Sequence, residues 1–172
     1  TVSAPGLCGG STTVTWTVTD HCYATTTHTA TFTIVSPNPL VINKPDNFTA
    51  ASCQFTDQDA VNTAFDSWLT GFSVTGGFDP QGTIAGTPVA PVLCEGGTTT
   101  VTYNVTDECG SGSATATFTI SAPTAVAVTE VNDQTTSSCT YADQSAADAA
   151  FALWLDGFGV TGGCSPAFTN GT

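Results

Sequence analysis

Over most of this chain the apolar residues fall on every second position. Between Thr13 and Thr19, Val14, Trp16 and Val18 alternate with threonines, and between Thr29 and Ile34 the apolar set is Ala30, Phe32 and Ile34. A strand sends successive side chains to opposite faces, so both stretches predict half-buried strands, and Asp20-His21-Cys22-Tyr23 between them predicts a hairpin turn. The same hairpin returns as Val101, Tyr103 and Val105, then Ala116, Phe118 and Ile120, around a turn at 107–112. A proline-rich joint, Ser36-Pro37-Asn38-Pro39, ends pairing after the first hairpin and is followed by a short apolar strand, Leu40-Val41-Ile42. Ser121-Ala122-Pro123 and a strand at 126–128 take these places after the second. Further short strands are expected around Thr83-Ile84-Ala85 and Val89-Ala90.

One stretch breaks the alternation. Val61, Ala64, Phe65, Trp68 and Leu69 follow the helical i, i+3, i+4, i+7, i+8 spacing, with Thr56 expected as N-cap, Asp59 three residues on, and Gly71 as a left-handed C-cap. The helix recurs as Ala147, Ala150, Phe151, Trp154, Leu155 and Gly157. Trp68 and Trp154 are 86 residues apart, as are Cys53 and Cys139, and Phe32 and Phe118. Self-similarity at a fixed spacing signals an internal repeat, and 172 residues hold two such periods. Boundaries set at the joints give residues 1–35 as the C-terminal part of one unit, 36–121 as a complete unit, and 122–172 as the N-terminal part of another. The expected fold is mainly β: tandem immunoglobulin-like β-sandwich repeats of about 86 residues, each with one short inserted α-helix. Phe65, Trp68, Leu69 and Trp16 or Tyr103 are the expected core residues. Residues 122–172 of one chain are expected to be completed by residues 1–35 of a following copy, head to tail.

Charge narrows the range of partners. Fourteen acidic residues against one basic residue, Lys44, give a net charge of −13, yet charged residues make up only 9% of the chain. Threonine, about a fifth of the chain, supplies much of the remaining polar surface. An acidic exterior repels phosphate backbones and anionic lipid headgroups, which disfavours nucleic-acid and membrane-surface binding. No apolar run approaches the roughly 20 residues of a membrane span. The start carries no basic segment or apolar leader, which suits an internal piece of a longer exported protein. Seven cysteines without the short paired spacings of metal sites fit an oxidising, extracellular location.

The run Gly96-Gly97-Thr98-Thr99-Thr100-Val101-Thr102-Tyr103-Asn104-Val105-Thr106-Asp107, closed by Ala116-Thr117-Phe118-Thr119-Ile120, resembles the second half of the hyalin-repeat (HYR) family of immunoglobulin-like modules. The helix ending Trp68-Leu69, followed by Val74-Thr75-Gly76-Gly77, resembles the HYR-like repeats of very large surface adhesins of gliding bacteria, exported by the type IX secretion system. The resemblance implies a structural stalk or filament repeat on the bacterial cell surface, serving attachment or gliding. Its partners would be neighbouring repeats or head-to-tail copies, and a surface or glycan ligand. That family commonly bridges a cysteine on its first strand to one at the start of its last, and both are missing here. On the implied sandwich, Cys53 before the helix and Cys94 before the hairpin share one end, which makes Cys53–Cys94 the expected disulfide. Cys109 at the opposite end is then expected unpaired, and Cys8, Cys139 and Cys164 to pair outside the chain.

Candidate chemistry is sparse. His21 and His28 have no histidine one period on, and the carboxylates are spread over turns and the helix start, so no enzyme is expected. Calcium is the one cofactor the acids suggest, through oxygen ligands from Asp57 with Asp59 and from the turn acids Asp20, Asp107 and Glu108. For Asp57 and Asp59, helix capping is the alternative. A calcium-dependent or carbohydrate-binding module is the alternative function, with Tyr23 its exposed aromatic. The threonine rows also suit ice binding, although strand twist works against a flat lattice match. Asn47, Asn104 and Asn170 open glycosylation sequons.

Overall fold

The computed structural model describes residues 2–167 and 169. The fold is mainly β, with two short helices and several small sheets. In chain order the elements are β1 (Gly10–Thr19), β2 (Thr25–Ile34), β3 (Val41–Asn43), β4 (Phe48–Ala51), α1 (Gln58–Leu69), β5 (Ser73–Thr75), β6 (Gln81–Ile84), β7 (Gly97–Asp107), β8 (Gly110–Ser121), β9 (Ala127–Thr129), α2 (Gln144–Leu155) and β10 (Gly159–Thr161). A 3₁₀ turn precedes each helix, at Ser52–Gln54 and Ser138–Thr140.

Strands β4, β8, β7 and β6 form one sheet in that order, and β1–β2, β3–β5 and β9–β10 are separate pairs. Both hairpins run further than the alternation alone indicates. A two-residue connection, Glu108-Cys109, joins β7 to β8 in place of the expected longer turn. The chain divides into two compact units. One draws on Thr1–Phe48, Asn62–Ala90 and Thr99–Phe118, and the other on Thr49–Val61, Pro91–Thr98 and Thr119–Thr172.

The first unit buries Phe65, Phe72, Val101, Val105, Ala116 and Phe118. Phe118 stacks on Phe48 at 4.3 Å between ring centroids and meets Phe65 and Trp68 edge-on at 5.2 and 5.5 Å, the offset and edge geometries that aromatic quadrupoles favour. Trp68 and Leu69 are half-buried, and the Trp68 indole N–H donates to the Asp46 carbonyl at 2.8 Å. Tyr103 is half-buried against Phe72, whereas Trp16 lies outside the core: it is 54% exposed because no element among the described residues covers its face of β1. The second unit buries Ala50, Ser52, Val61 and Ile120.

Helix capping departs from the sequence reading by one residue. Asp57, not Thr56, accepts the Ala60 N–H at 2.8 Å, and Asp143 accepts the Ala146 N–H of α2 at 2.9 Å. Gly71 has no left-handed backbone. Its lack of a side chain admits Pro45, which a Cβ would meet at 2.8 Å. The left-handed glycines come later, at Gly76 and Gly77 (both φ +70°), where the Gly77 N–H closes onto the Asn38 carbonyl at 2.9 Å. Gly162 and Gly163 repeat this turn, with the Gly163 N–H on the Thr124 carbonyl at 2.8 Å.

Candidate interaction surface

The same residue pattern meets two different environments along this chain. Phe65 on α1 is 2% exposed, and Phe151, the corresponding residue of α2, is 59% exposed. On the strands Phe118 is fully buried and Phe32, which matches it in β2, is 63% exposed. Among the described residues of β1 and β2 none is buried. The hairpin is paired in full register from Gly10↔Ile34 to Thr19↔Thr25, so the inner edge of each strand is satisfied while its apolar face is open.

Around α2 the apolar side chains line a cavity of about 760 Å³, bounded by Val126, Val128, Phe151, Trp154, Leu155 and Phe158. A second hollow of about 280 Å³ runs along the same helix beside Gln134, Thr136 and Tyr141. Aromatic order on α2 matches α1: Phe151 stacks with Trp154 at 5.8 Å, and Trp154 meets Phe158 edge-on at 5.2 Å. The Trp154 indole N–H donates to the Asn132 carbonyl at 2.9 Å, as Trp68 does to Asp46. Residues 134–137, which correspond to strand β4, form no strand.

The cysteines differ from the expected pairing. Cys53 bonds Cys164, with Cα atoms 5.0 Å apart, and Cys8 bonds Cys109 at 5.3 Å. Cys94 is a free, exposed thiol, as are Cys22 and Cys139. The correction has a physical cause. The left-handed Gly162-Gly163 turn delivers Cys164 to the 3₁₀ turn that carries Cys53. Leu93 and Cys94 border the same hollow as Ser52 and Cys164, and the segment before Cys94 is pinned to the start of α1, where the Gln58 side chain accepts the Leu93 N–H at 2.8 Å and donates to the Pro91 carbonyl at 3.1 Å. Both bonds span more than one period, with sequence separations of 101 and 111. Neither bond can form inside a single period.

The acids suggested for calcium are placed as follows. Asp57 caps α1, and Asp59 lies in its first turn. Asp20 Oδ1 accepts the Cys22 and Ala24 N–H groups at 2.8 and 2.9 Å, and Asp107 Oδ1 accepts the Cys109 N–H at 2.8 Å. Glu108 sits in the β7–β8 connection, its own N–H on the Phe78 carbonyl. The Phe78 N–H, and after it those of Cys109 and Gly110, hold the Asp107 carboxyl below its ordinary value and outweigh the opposing desolvation. Among the described residues no group of three or more His, Cys, Asp or Glu side chains is placed to hold a metal ion. Tyr23 is almost fully exposed in its turn, at φ +66°. The sequon at Asn170 lies outside the described residues. No helix among the described residues is long and apolar enough to cross a membrane.

Compared with known proteins, the chain matches no family model, no curated protein and no solved structure.

Proposed function

We propose that this chain is a non-catalytic structural unit, a stalk or filament segment of an extracellular adhesin built from tandem immunoglobulin-like repeats of about 86 residues. One observation carries the reading. The chain holds two unpartnered halves of one packing arrangement whose finished form it also contains. Helix α1 and strand β8 bring Phe65, Trp68 and Phe118 together, whereas α2 leaves Phe151 open and β2 leaves Phe32 open. The elements that match lie 86 residues apart: α1 and α2, β5 and β10, and the register pairs Ile42↔Val74 and Val128↔Val160. On this reading the units are 1–35, 36–121 and 122–172. The β1–β2 hairpin of a second copy then covers α2, and successive copies add head to tail, which is a heterologous contact that does not close on itself. Disulfides and an acidic, threonine-rich exterior suit a bacterial cell-surface location.

Sedimentation velocity over a range of concentrations tests this. The wild-type chain is expected to form species of increasing mass, and Phe32→Asp, a change at an exposed position, to sediment as a folded monomer. A wild-type chain that stays monomeric at high micromolar concentration would refute the proposal.

A further inference from the structure

The spacing that carries one hairpin onto the next also acts on the cysteines. Cys8, in the segment entering β1, is bonded to Cys109 at the tip of the following hairpin, β7–β8. One period on, the segment entering β7 carries Cys94, whose thiol is free and exposed. Its expected partner is the tip of the next hairpin along. If β1–β2 of a second copy covers α2, that tip carries Cys22, also free and exposed. Cys22 and Cys109 are held alike. Each N–H donates at 2.8 Å to the aspartate two residues before it, Asp20 in one turn and Asp107 in the other.

We propose that Cys94 of one copy and Cys22 of the next form an intermolecular disulfide that locks each head-to-tail joint. This rests on the joint proposed above and adds the bond that closes it. The non-covalent seat beside it follows from the same template. Gln58 clamps the backbone of Pro91 and Leu93, and one period away the corresponding residues are Gln144, Pro5 and Leu7. In the single chain the Gln144 Nε2 donates to Asp148 at 2.7 Å, a bond it exchanges for the Pro5 carbonyl when its Oε1 takes the Leu7 N–H of the incoming copy. Cys139 is left over. It corresponds to Cys53, whose partner Cys164 has Phe78 in its place one period earlier, so no thiol meets it.

The bond forms by thiol–disulfide exchange with a small disulfide such as glutathione disulfide. One thiolate attacks the small disulfide and releases a thiol. The second thiolate then attacks the mixed disulfide and releases the other. Two cysteines lose two protons and two electrons, and the oxidant becomes two thiols. The His21 Nε2 lies 3.4 Å from the Cys22 sulfur, within reach of the departing proton.

Two full-length variants test this, Cys22→Ser and Cys94→Ser, each also carrying Cys139→Ser, in a glutathione redox buffer. On non-reducing denaturing gels the Cys139→Ser parent is expected to give a ladder and each variant alone only monomer. A mixture of the two variants is expected to stop at a dimer, with a Cys22–Cys94 peptide in its digest. All should still associate under native conditions in sedimentation. Native association without the mixed dimer, or a Cys53–Cys94 peptide in its place, would overturn the disulfide and leave the joint standing. Absence of native association would overturn both.

Discussion

Single residues separate buried packing from open surface here. Phe65 and Phe151 share a sequence environment, yet Phe65→Ala removes a ring from a closed aromatic cluster and Phe151→Ala removes one that faces solvent. The first change is expected to cost about 3–5 kcal/mol and the second to stay within about 0.5 kcal/mol in the dilute chain, both measured by urea denaturation. Gln58→Ala strips the partners from the Leu93 N–H and Pro91 carbonyl and is expected to cost about 1–3 kcal/mol. Asp107 gives a pH signature. Its folded pKa lies below the unfolded value, so its stabilisation is fully present above the unfolded pKa near 3.9 and is lost as pH falls through the folded value. Asp107→Asn is therefore expected to flatten the fall in melting temperature below about pH 4, read by circular dichroism. A variant that tracks the wild type through that range would remove the carboxylate from the stability of the turn.

The helices and hairpins are the most legible elements, because spacings of 3.6 and 2 residues separate them without any knowledge of their neighbours. Val101, Tyr103 and Val105 against threonines, and Val61, Phe65 and Trp68 in a stripe, mark β7 and α1 directly. What the pattern cannot carry is occupancy. Val14, Trp16 and Val18 read like Val101, Tyr103 and Val105, yet no residue of β1 is buried and Val101 and Val105 of β7 are, since burial depends on which partner is present. Cap position is also set by geometry that sequence only brackets: Thr56 and Asp57 are both good N-caps, and the helix starts one residue later than the pattern suggests. Gln144→Ala, at an exposed helix start, is expected to leave the melting temperature within about 1 °C while weakening self-association. Equal association by variant and wild type in sedimentation would remove the glutamine clamp.

For the whole molecule, cross-links and repetition have to be considered together. Both intrachain disulfides close loops longer than a period, and Cys53→Ser is expected to lower stability by about 2–5 kcal/mol, mainly by releasing the unfolded chain. Their connectivity was hidden in the sequence because the period invites pairing inside one unit, while the fold bonds one period to the next. The incompleteness of 122–172 was legible, because it repeats only the start of a unit, whereas the hollow beside α2 and the exposure of Phe151 depend on packing that the spacing does not encode. The central claim is that a second copy supplies that cover. Electron cryo-microscopy of the oxidised wild-type chain at high concentration tests it most directly. The expected result is an unbranched thread in which β1–β2 of each copy lies against α2 of its neighbour, with density joining Cys94 to Cys22. Isolated particles, or a thread in which the β1–β2 hairpin stands free of α2, would contradict it.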